Sequence, residues 1–358
     1  MSATNTSAIV PRPCAGGGVH GTRLVLGLVA LPALIRKLGA DPDAIFDAAG
    51  LDRGVFDDSG SRVPHEAVVR VLNEAASRTL CPHFGLLAGG LWRLSAMGVV
   101  GEIVRHSPTV GRALQDLVTF QHLNADGALA FLIERDGVVD LGYAFYTPFT
   151  ETTVHVYDAA LALATNIMRE LCGERWKPAA VLCSHSAPAD VAPFKRFFRA
   201  QLHFDSHHCA IRFPQSWMAQ PVHDADPTRY RLARMQADAA GKVTLVDSVH
   251  RALRVLLLHG KASGADVAQA LAMHRRTLNR RLKEQGTTFQ QVLDRVRFAV
   301  AKELLESSDA GMPQIAAALG YADAVSFTRA FRRWTRTTPG AWRRSAPQGR
   351  AARMLLGD

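Results

Sequence analysis

Arg276, Arg280 and Lys283 recur at spacings of four and three residues, which sets them along one face of an α-helix. Leu278 and Leu282 mark the opposite, apolar face, and Thr277 and Asn279 flank the basic one. These side chains suit one kind of chemistry. A guanidinium can pair with both acceptors of a guanine edge, a carboxamide can do the same on adenine, and an ammonium neutralises phosphate. A second segment, 49 residues on, repeats the arrangement with Val325, Arg329, Arg332 and Arg336 opposite Phe327, Ala330, Phe331 and Trp334.

Each basic face needs elements to hold it. Ser263 and Asp266 form a capping-box start for a short helix carrying Val267, Ala268 and Leu271. A break at Ala272-Met273-His274 precedes the helix Arg275 to Gln285, which is helix-turn-helix spacing. Phe289, Val292, Leu293, Val296, Val300 and Leu304 then predict a stiff helix of about 18 residues, hence about 27 Å long. Pro313 opens another short helix with Ile315, Ala316 and Leu319, Gly320-Tyr321-Ala322 turns, and Asp323 can cap the last recognition-type helix. One basic face opposite an apolar one is the ordinary pattern of a solvated helix. Two of them, each with its own lead helix and turn, are far harder to obtain by chance. Entry into successive major grooves on one side of a duplex needs about 34 Å between them, which the connecting helix permits.

The charge balance agrees. The chain of 358 residues has a formal net charge of +10. Residues 241–358 hold 20 Lys+Arg against 9 Asp+Glu, and residues 1–240 hold 22 against 23. The basic character therefore belongs to the C-terminal third, as expected of a polyanion-binding region. Five scattered cysteines without a C-x-x-C pair argue against a disulfide framework or a zinc finger, and for a reducing compartment.

At these residues the chain resembles the AraC/XylS family of bacterial transcription activators. The matching stretches are Asp266-Val267-Ala268-Gln269-Ala270-Leu271, Arg276 through Leu282, Ile315 through Tyr321, and Phe327 through Trp334, closed by Thr338-Pro339 and Trp342-Arg343-Arg344. The resemblance implies base contacts by Arg276, Asn279 and Arg280 in the first unit and by Val325, Ser326 and Arg329 in the second. Thr277 joins the base-contacting set, and Arg281, Lys283, Arg332, Arg333 and Arg336 are assigned to the DNA backbone. His274 stands where a Ser cap is usual, so a weaker helix start is expected. Arg336 stands where Gly is common, so the end of the last recognition-type helix is expected to differ.

The rest of the chain reads as an α+β domain followed by the all-α double helix-turn-helix domain. Residues 1–20 lack an apolar period and are expected to be a disordered tail. Residues 21–220 form the α+β region, 221–243 a polar linker that can carry a short helix, 244–345 the DNA-binding region, and 346–358 a tail. Within 21–220 the apolar run Leu24 to Ile35 is too short to span a bilayer and is expected to be the first buried helix. The pattern is helical to about Leu123. It then turns to two strands around Asp136-Gly137, returns to helix over 151–171, and shows strands at 180–183 and 209–213 with a short helix between them.

Pro82-His83-Phe84-Gly85-Leu86, Met97 through Gly101 and Ser107 through Gly111 resemble an arabinose-binding-type sensor domain. The subgroup is that of ornithine-use and virulence regulators rather than the arabinose regulator's cupin. The resemblance implies a cytoplasmic, homodimeric regulator, an activator in output. It would bind double-stranded promoter DNA, answer to a small-molecule effector and work with RNA polymerase, with no cofactor, metal or membrane. The effector and its binding residues stay open. Two alternatives stand beside this: an effector-binding protein or enzyme with an accessory DNA-binding module, and a protein sequestered by a partner through its N-terminal domain. No catalytic constellation supports the enzyme. Gly16 to Gly21 matches G-x-G-x-x-G but follows no strand. Cys81-Pro82-His83 reads as a buried thiol, and His203, His207, His208 and Cys209 as a strand-edge cluster rather than metal ligands.

Overall fold

The computed structural model describes residues 21–345 apart from 57–59, 146–150, 207, 241–243, 259–261, 272 and 308–309. Both expected tails lie outside the described residues.

The N-terminal helices form where apolar residues recur at helical spacing. They are α1 (Leu31–Lys37), α2 (Pro42–Ala48), α3 (His65–Arg78), α4 (Phe84–Leu91), α5 (Gly98–His106) and α6 (Val110–Phe120). Thr109 caps α6 by accepting from the Arg112 amide at 3.2 Å. The run Leu24 to Ile35 is not one helix. It starts in strand β1 (Thr22–Leu24), passes through a 3-10 turn and becomes helical only at Leu31. Pro32 lies in the first turn of α1, the part of a helix that tolerates proline. Strand β1 pairs antiparallel with β2 (Arg62–Pro64), a contact between segments 40 residues apart that local periodicity does not report.

The sheet contains β3 (Ala128–Arg135), β4 (Val138–Phe145), β5 (Ala180–Leu182), β6 (Gln201–His203) and β7 (Ala210–Pro214), in the order β3-β4-β7-β5-β6. The β3–β4 hairpin turns at Asp136 (φ 51°) and Gly137 (φ 77°), the two left-handed residues of a type I′ turn. Helix α7 (Val154–Cys172) packs on α4, and α8 (Ala192–Phe198) precedes β6. Helices α4 and α7 approach closely because Gly85 and Gly89 lack a Cβ. One placed there would lie 2.1 and 2.2 Å from the carbonyl oxygens of His155 and Ala159.

Strand β3 is buried on both faces. Ala130 and Leu132 join the N-terminal core with Leu114, Leu117 and Leu161. Leu129, Phe131 and Ile133 point the other way and pack with the C-terminal helices. Period-two alternation makes one strand the wall between two cores.

The stretch 221–243, read from its polarity as a linker, contains the 14-residue helix α9 (Pro227–Ala240). Ala233 and Ala237 are buried in the N-terminal core. Asp116, 1% exposed, accepts from Tyr230 Oη at 2.6 Å and from Arg234 at 2.7 Å, and also pairs with Arg112 at 2.9 Å. These bonds bind α9 to α6.

The C-terminal region is α10 (Leu245–Leu258), α11 (Gly264–Ala270), α12 (Arg275–Glu284), α13 (Phe289–Ser307), α14 (Met312–Ala318), α15 (Ala324–Thr335) and α16 (Pro339–Ser345). Among the described residues no single helix is long and apolar enough to cross a membrane.

Candidate nucleic-acid interface

The first unit, α11 and α12, rests on reciprocal caps. Ser263 Oγ accepts from the Asp266 amide at 3.2 Å, and the Ser263 amide donates to Asp266 Oδ2 at 3.1 Å. His274 also serves as a cap: its Nδ1 accepts from the Arg276 amide at 3.3 Å. The expected weakness at this position is therefore offset by the imidazole acting as an acceptor. Leu278 and Leu282 are fully buried, which turns Arg276, Asn279, Arg280 and Lys283 to solvent. Thr277 is half-buried at the edge of that face. Arg280 pairs with Glu284 at 2.8 Å, an exposed contact that a base or phosphate could replace at little cost.

Arg281 is set apart from these residues. It lies about 100° around the helix from Arg280. There it lines a cleft of about 380 Å³ together with Arg251 and Gln285 from its own region and Gln121, His122 and Leu129 from the N-terminal one. Its side chain is exposed, but it is not grouped with the groove-facing set.

The second unit, α14 and α15, is capped by Asp323, whose Oδ1 accepts from the Ser326 amide at 2.6 Å. That hydrogen bond holds the Asp323 carboxyl below its usual range. Val325 is 60% exposed, Arg329 and Arg332 are exposed, and Ser326 is half-buried behind them. Arg333 sits at the edge of the face and pairs with Asp294 of α13 at 3.1 Å, so part of its donor capacity is committed to the fold. Arg336 takes the left-handed conformation (φ 63°) that ends α15, with its amide bonded to the Arg332 carbonyl at 2.9 Å. The backbone thus makes the turn that glycine favours, and the arginine carries the strain.

Arg297 of α13 is a functional candidate that sequence reasoning missed. Its Nε donates to the Leu319 carbonyl at 2.8 Å and its guanidinium to the Gly320 carbonyl at 3.2 Å, and its Cζ lies 4.5 Å from the Tyr321 ring centroid. It clamps the turn of the second unit by satisfying carbonyls at the end of α14. Nothing in its local pattern distinguishes it from any polar residue of a long helix. The 19 residues of α13 make a spacer of about 28 Å that holds both units.

One buried constellation invites a catalytic reading. His185 Nε2 lies 2.9 Å from Asp158 Oδ1, and Cys183 lies near that imidazole. Burial opposes charge on His185, yet its bonds to Asp158 and Cys183 outweigh this and raise it to about 10. Cys183 is fully buried, and burial pushes its thiol up, so it is no accessible nucleophile. Cys81 is likewise buried and its thiol is raised by burial. His208 is held by Asp140 at 3.2 Å, His203 is exposed, and His207 lies outside the described residues.

Comparison with known proteins bears on both regions. Residues 39–222 match the arabinose-binding domain of AraC transcription regulator, N-term, and residues 267–345 match a helix-turn-helix domain. The chain is 27% identical over 318 residues to the ornithine utilization regulator of Pseudomonas aeruginosa, covering 88% of this chain and 94% of that protein. It is 26% identical over 316 residues to the HTH-type transcriptional regulator VirS of Mycobacterium tuberculosis, covering 87% and 93%. The crystal structure of transcriptional regulator CdpR from Pseudomonas aeruginosa aligns over 85% of this chain and 96% of its own, at 22% identity and a TM-score of 0.43.

Proposed function

The chain belongs to the AraC family of DNA-binding transcription regulators, a non-enzymatic family, and from that premise we propose how it reads DNA and what governs it. Arg276, Thr277, Asn279 and Arg280 contact bases in one major groove, and Val325, Ser326 and Arg329 do so in the next. Arg281, Lys283, Arg332 and Arg336 neutralise phosphates, and Arg333 adds to them from the edge of the face. The observation that carries this reading is the doubling: two capped helices, each turning basic or polar side chains to solvent, joined by one stiff helix.

Residues 21–220, with α9 packed onto them, form the effector-responsive part, and 244–345 the DNA-binding part. The protein acts as a cytoplasmic homodimer, as an activator, together with RNA polymerase. The matches to two regulators over nearly their whole length support the regulatory reading, since each alignment spans both regions of this chain.

The test is binding to genomic fragments recovered by footprinting. Affinity should fall with salt, log K dropping by about 0.9 per phosphate neutralised for each tenfold rise in salt. Arg276→Ala or Arg329→Ala should each weaken specific binding by about 1–3 kcal/mol. Unchanged specific affinity in either variant would remove that residue from the base-contacting set. Sedimentation velocity on the full chain checks the dimer.

A further inference from the structure

Between β3, β4 and α7 the N-terminal region forms a pocket of about 100 Å³ that is partly open to solvent. Most of its wall is apolar, with Leu117, Leu141, Leu161 and Ile167 among the larger contributors, and the lining holds no Asp or Glu. Three nitrogen donors at this cavity are buried without a hydrogen-bond partner among the described residues: Arg23 Nε, Trp92 Nε1 and Asn124 Nδ2. Arg23 is half-buried as a residue, but its guanidinium lies over the Trp92 ring, 4.9 Å from the centroid. Trp92 itself is 5% exposed.

Burial lowers Arg23 below its ordinary value, against a smaller opposing effect of Tyr143. Tyr143 is pushed up to about 12 by burial, so at neutral pH it remains a phenol and supplies no negative charge. A desolvated cation and two idle donors form a costly arrangement. A single ligand could satisfy all three.

We propose that this cavity is a binding site for a small apolar monocarboxylate, whose carboxylate is met by Arg23, Trp92 and Asn124. The planar guanidinium matches two carboxylate oxygens, and one cation balances one charge. A sugar fits poorly, because each hydroxyl buried against this wall would lack a partner. The volume limits the body: an apolar cavity of about 150 Å³ accepts benzene, so this smaller one suits a short acyl chain rather than a ring. Ala130 lines the cavity, while its neighbours Leu129 and Phe131 face the first helix-turn-helix unit from the other side of β3. An occupant therefore bears on the strand that supports α10 and α11. This inference rests on the reading of residues 21–220 as effector-responsive.

The experiment is calorimetric titration of the full-length protein with butanoate and hexanoate, each against its own amide. At least one carboxylate should bind tenfold or more tightly than its amide. Arg23→Met should abolish that difference, Arg23→Lys should keep part of it, and Trp92→Phe should weaken the carboxylate. Equal binding of acid and amide, binding of neither acid, or undiminished carboxylate binding by Arg23→Met would each overturn the proposal.

Promoter affinity measured with and without the bound carboxylate separates the two readings. Arg23-dependent binding that leaves promoter affinity unchanged keeps the site and removes the effector reading. A small molecule that shifts promoter affinity equally in wild type and Arg23→Met keeps the effector reading and removes the site.

Discussion

The two helix-turn-helix units hang on the same helix and differ in what stands behind them. The first leans on the N-terminal region: α10 and α11 pack on β3, Gln269 donates to the Glu134 carbonyl, and Arg251 faces Asp126 at 3.6 Å. The second is supported within its own region by an aromatic cluster, where Phe331 meets Phe298, Phe327, Trp334 and Trp342 at centroid distances of 5.8–6.3 Å. One motif is thus stabilised in two ways. A change in the N-terminal region has a direct mechanical path to the first unit, while the second is built to hold its shape regardless.

The strongest way to break this comparison is to empty one support at a time. Phe331→Ala removes the centre of the aromatic cluster and should cost about 3–5 kcal/mol, read by denaturant unfolding. Phe131→Ala removes the N-terminal wall of the first unit. In hydrogen exchange it should lower protection in α10 and α11 and leave α14 and α15 unchanged. Equal loss in both units would show that they are not separately supported.

Arg297→Ala comes next. It removes hydrogen bonds from a charged donor, about 1.5–3 kcal/mol, and the contact with Tyr321. Footprints should weaken at the second half-site and persist at the first.

Arg336→Gly acts in the opposite direction. Relief of the left-handed conformation should stabilise the protein by about 1 kcal/mol, visible as a rise in melting temperature. If Arg336 also meets a phosphate, the salt slope of binding should fall by about 1. Stabilisation with an unchanged slope would confine Arg336 to a structural role.

The second stripe opens on apolar Val325, so base substitutions in its half-site should be tolerated better than in the first. Equally stringent half-sites would contradict this.

The smallest effect concerns the caps. Asp323 titrates below its ordinary 3.8 in the folded protein. Its contribution is therefore complete above that value and is lost as pH falls through the lower folded one. The start of α15 should loosen in acid, and Asp323→Asn should remove that sensitivity, as followed by amide chemical shifts.

Much of the candidate interface was legible because its signals are local. Leu278 and Leu282 set the inner face of α12 and thereby orient Arg276 and Arg280. Asp323, Ser263 and the Asp136-Gly137 turn act within three or four residues of themselves. Where local signals were overruled, a distant partner was the cause. Leu24, at the start of a run that reads as helix, pairs with Arg62 as a strand. Buried Asp116 draws a polar stretch into helix α9 through Tyr230 and Arg234.

The sequence by itself determined the two basic stripes, their caps and the stiff helix between them, because helix period and capping depend on neighbours along the chain. It also determined that Ala128 to Ile133 is apolar without interruption, which for a strand means burial on both faces. The tertiary structure alone decided what covers each face: the cavity with Arg23 on one side and the first DNA-binding unit on the other. Apolar faces associate without direction or address, so which two of them meet is settled only by the packing of the whole chain.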